Sequence, residues 1–329
     1  MKTTYKALSL FSGGLDSQLA VCVLREQGIH VEGITYRSPF FGTKKARQAA
    51  KALGLKLHIV DFTEDILELV QHPPHGLGKA MNPCIDCHAK MIFLAGKMLE
   101  EMDFDFIATG EVLAQRPMSQ NKQSLGVVAK CSQYGDLLLR PLSASLLPPT
   151  QPVREGWVDP EKLPAFSGRN RTPQIALAEH FGIKNYPAPA GGCLLTEERF
   201  GFKLKDLLEH EGPDSSRNNV WLLQIGRHMR LDEKTKIIVG TNRSDNQRLK
   251  ERATPDDWKI CCPEVPGPTV IAPATISEEN MRIAGSICAR YAKTPADQEA
   301  TVRAIRENEE QHFKVLPLSP EKTAEYFIA

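Results

Sequence analysis

Ser12-Gly13-Gly14-Leu15-Asp16-Ser17 follows the apolar run Ala7-Leu8-Ser9-Leu10-Phe11 and leads directly into Leu19-Ala20-Val21-Cys22-Val23-Leu24. A strand that ends in small residues and turns at once into an apolar-faced helix leaves backbone N–H groups converging on one point, where the helix dipole also favours negative charge. The stretch therefore predicts an anion cradle. Gly13 and Gly14 let a phosphate approach the backbone, Ser12 and Ser17 offer hydroxyl donors, and Asp16 suits a magnesium ion or a water bound to it. An ordinary glycine turn before a helix is the plain alternative.

Outward from this stretch, strands and helices alternate. Residues 31–36 read as a second strand, 44–53 as a helix capped by Thr43 and stopped by Gly54, and 55–62 as a third strand. A helix is expected at 64–70 and a further strand at 104–109, ending at Gly110-Glu111. This alternation predicts an α/β fold with a parallel sheet wrapped by helices, whose ligands sit at the carboxyl ends of the strands. The loop after Phe11, the residues after Tyr36 and the Thr109-Gly110-Glu111 turn would share that edge.

Prolines crowd residues 146–164; helices are then expected at 172–181 and 197–210, with an extended or turning stretch over 186–193 and a break over 211–216. Beyond it, strand-like runs at 236–239 and 270–272 and a helical run at 277–291 indicate a second, smaller α+β domain. The expected organisation is 1–175 for the catalytic domain, 176–216 for a connecting segment carrying Cys193, and 217–329 for the second domain.

The chain has 329 residues, enough for two cores, and a formal charge of +1. That balance by itself says nothing about nucleic acid, but residues 33–60 hold six basic residues and no acidic one, and 112–135 hold Arg116, Lys122 and Lys130 and again none. Such runs are ordinarily solvated faces; flanking a phosphate site, they suit a polyanion track. No secretory signal or membrane-spanning stretch is expected, and the eight cysteines then point to a reducing cytoplasm, where thiols bind metal, do chemistry or fill cores.

Cys84-Ile85-Asp86-Cys87 stands just before a helix whose apolar face reads as Met91, Leu94, Ala95, Met98, Leu99 and Met102. A helix amino end favours the thiolate, and the pair suits half a zinc site, a redox couple or two ligands of an iron–sulfur cluster. Cys193, beside Gly191 and Gly192, is the third candidate. A pair plus a distant single suggests three ligands with one metal position open to chemistry. The turn-rich stretch with His72 and His75 reads as an exposed loop, Cys22 as a buried thiol of the first helix, and Cys131, Cys261, Cys262 and Cys288 as core or surface thiols.

Ser12 to Ser17 resembles the PP-loop of the ATP pyrophosphatases, which split ATP between its α and β phosphates and activate a carbonyl as its adenylate. Four stretches in order, this loop, Asn82-Pro83-Cys84-Ile85-Asp86-Cys87, Ala108 to Gln115 with Ser119-Gln120, and Arg140-Pro141-Leu142, resemble the catalytic domain of tRNA 4-thiouridine synthetases, and more loosely the tRNA 2-thiouridylases. The resemblance covers about residues 1–200. It implies ATP on Ser12, Gly13, Gly14, Ser17, Gly110 and Gln115, Mg2+ assisted by Asp16, and a [4Fe-4S] cluster on Cys84, Cys87 and Cys193. In other branches a cysteine pair carries and resolves a persulfide, and Cys87 with Cys193 would serve so.

Those 4-thiouridine enzymes normally carry RNA-binding modules ahead of the loop; neither these nor a terminal rhodanese-like sulfur-carrier domain is expected here. Ile237 to Asn242, Asn246 to Lys250, Asp256-Asp257-Trp258 and Val265 to Val270 resemble the NFACT-R domain over residues 218–329, an RNA-binding module suited to fill the first gap. The implied activity is ATP-dependent tRNA thiolation: adenylation of a uridine carbonyl, then replacement of its oxygen by sulfur from sulfide or a cysteine desulfurase. The alternatives are an amide-forming PP-loop ligase acting on a small carboxylate and a non-catalytic RNA-binding protein. The sequence leaves open whether the chain forms a homodimer.

Overall fold

The computed structural model describes residues 4–116, 118–188, 192–212 and 215–328. Residues 189–191 of the stretch expected to be extended, Gly191 among them, and residues 213 and 214 of the expected break lie outside the described residues. The chain divides into two compact units, Met1–Thr196 and Glu197–Ala329, so the segment 176–216 is itself divided at Thr196.

In the first unit the order is β1 (Lys6–Leu10), α1 (Leu15–Glu26), β2 (His30–Arg37), α2 (Lys44–Ala52), β3 (Leu57–Asp61), α3 (Thr63–Gln71), α4 (Cys84–Met102), β4 (Phe106–Thr109), α5 (Lys122–Cys131) and β5 (Leu138–Leu139), then α6 (Gln151–Arg154) and α7 (Thr172–His180). The sheet runs β3-β2-β1-β4-β5 with every pair parallel. The central residues of β1 and β2 and all of β4 are buried, as in strands covered on both faces. Leu19, Ala20, Val23 and Leu24 of α1 join Ala7, Phe11 and Phe106 in one core, and Ala178 of α7 and Ile183 reach into it from the region after the sheet.

Two local readings change. Thr43 stands at the amino end of α2 without capping it; its hydroxyl accepts from Arg47 Nε at 3.3 Å. On α4 the deepest stripe is Ala89, Ile92, Ala95, Gly96 and Leu99, while Met91, Met98 and Met102 lie half-buried beside it. Gly96 is required there because a Cβ would fall 2.2 Å from the Tyr134 ring.

The second unit holds α8 (Glu198–Glu211), α9 (Arg217–Leu222), β6 (Arg227–Arg230), β7 (Lys236–Val239), α10 (Arg243–Arg252), β8 (Trp258–Cys261), β9 (Val270–Ala272), α11 (Glu278–Tyr291), β10 (Ala300–Arg306), β11 (Glu309–Val315) and α12 (Pro320–Ala324). Its sheet, β11-β10-β8-β9-β7-β6, is antiparallel throughout. Side chains alternate across β7: Ile237 and Val239 pack with Met281, Ala284 and Ile287 of α11, whereas Ile238 faces Leu222, Ile225 and Leu249 on the other side. The edge of β6 is covered from within the unit, since Arg230 N–H donates to the Tyr326 carbonyl at 2.9 Å and Ile328 N–H to that of His228 at 3.2 Å. Among the described residues no helix is long and apolar enough to cross a membrane.

Candidate functional site

The sheet order reverses between β1 and β4, the place where a parallel α/β sheet opens a crevice at its carboxyl edge. Ser12 to Gly14 leave β1 at this point and Gly110 leaves β4. Gly13 has φ +76°, and a Cβ on it would stand 2.5 Å from the Lys45 carbonyl, so the first turn of α2 presses on the loop. A Cβ on Gly110 would stand 2.5 Å from the Ser17 backbone nitrogen. The turn after β4 is thus packed directly on the loop after β1.

Within the loop, Gly14 N–H donates to Ser12 Oγ at 3.3 Å, the Ser17 hydroxyl donates to the Gly14 carbonyl at 2.9 Å, and Gln18 Nε2 braces the Gly13 carbonyl at 3.1 Å. Ser17 is buried and its hydroxyl is engaged inside the loop rather than turned outward. Gln115 Nε2 donates to Asp16 Oδ2 at 3.2 Å, which brings together two residues singled out in the sequence. Asp16 Oδ1 is buried and has no hydrogen-bond partner. Burial pushes the Asp16 carboxyl up, and the Gln115 hydrogen bond with the Arg171 and Arg116 guanidiniums pulls it part of the way back. A buried carboxylate oxygen left without a donor is costly. A hard cation relieves that cost, so the residues present fit a magnesium ion.

The cysteine-bearing end of α4 is tied to the same edge. His88 Nδ1 faces Glu111 Oε1 at 3.1 Å, and Arg140 Nε donates to Glu111 Oε2 at 2.8 Å; all this lies one residue beyond Gly110. Leu194 N–H donates to the Phe40 carbonyl at 2.9 Å, which anchors the residue after Cys193 to the loop following β2. Cys84 Sγ accepts from Asn82 Nδ2 at 3.2 Å. Cys87 keeps part of its surface open, yet burial pushes its thiol well up, and Cys193, Cys84 and Asp86 add to the effect. Both other thiols, Cys84 and Cys193, thus lie within electrostatic reach of Cys87. Their chemistry suits an iron–sulfur cluster, because a cation relieves the mutual repulsion of neighbouring thiolates. Among the described residues, however, no three His, Cys, Asp or Glu side chains are gathered closely enough to hold a metal ion as they stand.

Several residues at this edge had no signal of their own in the sequence. Arg171, whose Nε is buried without a partner, comes from just before α7 and lies far along the chain from Asp16. Arg116 was visible only as part of a basic run. Glu111 and Arg140 sat inside quoted motifs, but nothing in the sequence paired them. The other thiols also separate: Cys262 and Cys288 are buried in the second unit, with their sulfurs 3.9 Å apart, while Cys22 and Cys261 are half-buried and Cys131 is exposed.

Residues 2–145 match the family described as thiamine biosynthesis protein (ThiI), and residues 226–327 match the NFACT protein RNA binding domain. A tRNA-specific 2-thiouridylase MnmA of Sulfurimonas denitrificans is 36% identical over 120 residues, 33% of this chain and 35% of that protein. A probable tRNA sulfurtransferase of Oceanobacillus iheyensis is 28% identical over 149 residues, 43% of this chain and 35% of that protein. The chain therefore spans about a third of the length of the curated relatives it matches. Among solved structures, a 4-thiouridine synthetase–RNA complex with bound ATP is similar with a TM-score of 0.40 and 24% identity, over 54% of this chain and 41% of that one.

Proposed function

We propose that this protein thiolates tRNA at the expense of ATP, adenylating a uridine carbonyl and replacing its oxygen with sulfur. The observation that carries the reading is the shared edge: a glycine loop with a buried, unpartnered Asp16 oxygen, joined through Gly110, Glu111 and His88 to the end of α4 that bears Cys84 and Cys87. An enzyme that must activate an oxygen and then displace it needs those two chemistries side by side. The matches to ThiI and to an RNA-binding domain on one chain support tRNA as the substrate.

In this reading the phosphates of ATP lie on the backbone of Gly13 and Gly14 at the amino end of α1, where the dipole favours them. Asp16 holds Mg2+, and Arg171 and Arg116 neutralise charge that develops as pyrophosphate departs. Ser12 and Gln115 complete the cradle, and the tight packing of Gly110 on Ser17 keeps its shape. A carbonyl oxygen is a poor leaving group; as part of AMP it becomes a good one.

Cys84, Cys87 and Cys193 handle the sulfur. They would hold a [4Fe-4S] cluster by three corners, and when bound that group offers a free iron for sulfide. The persulfide route through Cys87 and Cys193 is the second reading, supported by the electrostatic reach between those two thiols. Sulfide would supply the sulfur in the cluster route, and the persulfide of a cysteine desulfurase would supply it, already at the sulfane level, in the persulfide route.

The test is nucleoside mass spectrometry on unmodified tRNA incubated without oxygen with the protein, Mg-ATP and sulfide, before and after iron–sulfur reconstitution, alongside Cys193→Ala. A thiouridine that needs ATP and Cys193 is expected. ATP cleaved to AMP and pyrophosphate with no sulfur entering any tRNA would leave the nucleotide site standing and remove the tRNA assignment.

A further inference from the structure

Cys131 ends α5, and its exposed Sγ lies 3.9 Å from His75 Nε2. The opposite ring nitrogen, His75 Nδ1, donates to Asp86 Oδ1 at 2.6 Å, and the His75 backbone N–H donates to Asp86 Oδ2 at 3.0 Å. Both oxygens of a buried carboxylate thus clamp one histidine; the Asp86 side chain is 5% exposed and that of His75 36%. With its proton fixed on Nδ1, the imidazole presents Nε2 as an acceptor toward the thiol. A nucleophile, a base within reach and a third group orienting that base make up an activated thiol, and such contacts are commonly longer before substrate arrives.

We propose that Cys131, His75 and Asp86 form a second thiol site that accepts sulfane sulfur from a persulfide. Its location favours sulfur as the cargo. Asp86 belongs to the first turn of α4, between Cys84 and Cys87, and α5 packs against α4. Cys87 itself is half-buried, whereas Cys131 is exposed. An exposed thiol with its own base is the accessible entrance to the same end of the helix. An incidental surface cysteine beside an exposed loop would not need a buried carboxylate to fix the ring of His75.

In the step itself, His75 Nε2 takes the Cys131 proton and the thiolate attacks the outer sulfur of R–S–SH. A bond forms from Cys131 Sγ to that sulfur as the donor S–S bond breaks; the donor leaves as RS⁻ and recovers the proton from His75. Cys–SH and R–S–SH give Cys–S–SH and R–SH, with no net oxidation. The inference rests on the thiolation reading only for the sulfur's destination.

The experiment treats the whole protein, without oxygen, ATP or tRNA, with glutathione persulfide carrying an isotopically marked outer sulfur. Samples are trapped by alkylation at increasing times and every cysteine peptide is analysed by mass spectrometry. The marked sulfur is expected first on Cys131, at a rate at least about tenfold lower in His75→Ala and restored by added imidazole. Retention of an ATP analogue by that variant reports its folding, and the order of labelling in the unaltered protein carries the test if the variant does not fold. First appearance on Cys84, Cys87 or Cys193, or a Cys131 that stays unmarked, would overturn the inference. Marking of Cys131 in a protein that thiolates no tRNA would sustain this site and remove the functional reading, and the converse result would do the reverse.

Discussion

Glu111 and Arg140, 29 residues apart in the chain, form an ion pair at 2.8 Å with side chains 9% and 8% exposed. Burial alone would push the Glu111 carboxyl up, but Arg140 and His88 outweigh it and hold the group well below the usual range. The pair locks the turn after β4 to the residue after β5. Removing one member leaves a buried charge without its partner, so Arg140→Met is expected to cost about 3 to 5 kcal/mol at neutral pH. Because the folded carboxyl is depressed, its contribution is complete above the unfolded value of about 4.3 and is lost as pH falls through the folded one. Urea titrations across pH should therefore show the gap between the two proteins closing in acid.

Asp16 has the opposite sign. Its raised carboxyl makes the ionised form a liability in the nucleotide-free fold, growing as pH rises from the unfolded value through the folded one. Asp16→Asn should raise the thermal midpoint of the free protein at neutral pH while lowering pyrophosphate release at least about 100-fold through loss of magnesium. In Arg171→Ala the carboxyl rises further, so the acid limb of the pH–activity profile should move to higher pH; an unmoved limb would disconnect Arg171 from Asp16.

The two loop glycines should differ. Gly13 combines a φ of +76° with a virtual Cβ 2.5 Å from the Lys45 carbonyl, whereas Gly14 is extended at φ −74° and its virtual Cβ meets only Ser12 Oγ, at 3.3 Å. Gly13→Ala is expected to lose at least about 1 to 2 kcal/mol of stability, and Gly14→Ala much less. Calorimetric titration with an ATP analogue should show Gly110→Ala weakening binding, because its Cβ pushes on the Ser17 backbone.

His228 makes the second unit sensitive to acid. Burial drives its imidazole well below the ordinary value, with Lys236 and Lys203 adding to this, and Nε2 donates to the Leu222 and Ile225 carbonyls at 3.2 and 3.1 Å. The unfolded chain binds a proton near pH 6.5 that the folded chain refuses, so stability should fall as pH drops below that value. Unfolding followed by Trp221 and Trp258 fluorescence would report it. His228→Gln should flatten the dependence.

Much of the first unit was legible from sequence. Regular strand–helix alternation and one short glycine loop were enough for a parallel sheet with its site at the carboxyl edge, because period and turn chemistry are local properties of the chain. The second unit was less readable: β7, β9 and α11 stood out, but β6, β8, β10 and β11 carry charged residues that only sheet pairing makes into strands. Cys131 and His75, read one at a time, were a thiol of core or surface and a loop histidine; packing of α5 on α4 made them neighbours.

The sequence by itself singled out the Ser12–Ser17 loop, Asp16 and the thiols Cys84, Cys87 and Cys193 as candidates, since each depends on residue type and nearby spacing. Tertiary structure decided what those groups face: Lys45 against Gly13, Gly110 against Ser17, Arg171 toward Asp16, Arg140 on Glu111 and His75 between Asp86 and Cys131. The physical reason is that burial, charge balance and proton affinity depend on neighbours in space, and here those neighbours arrive from distant parts of the chain.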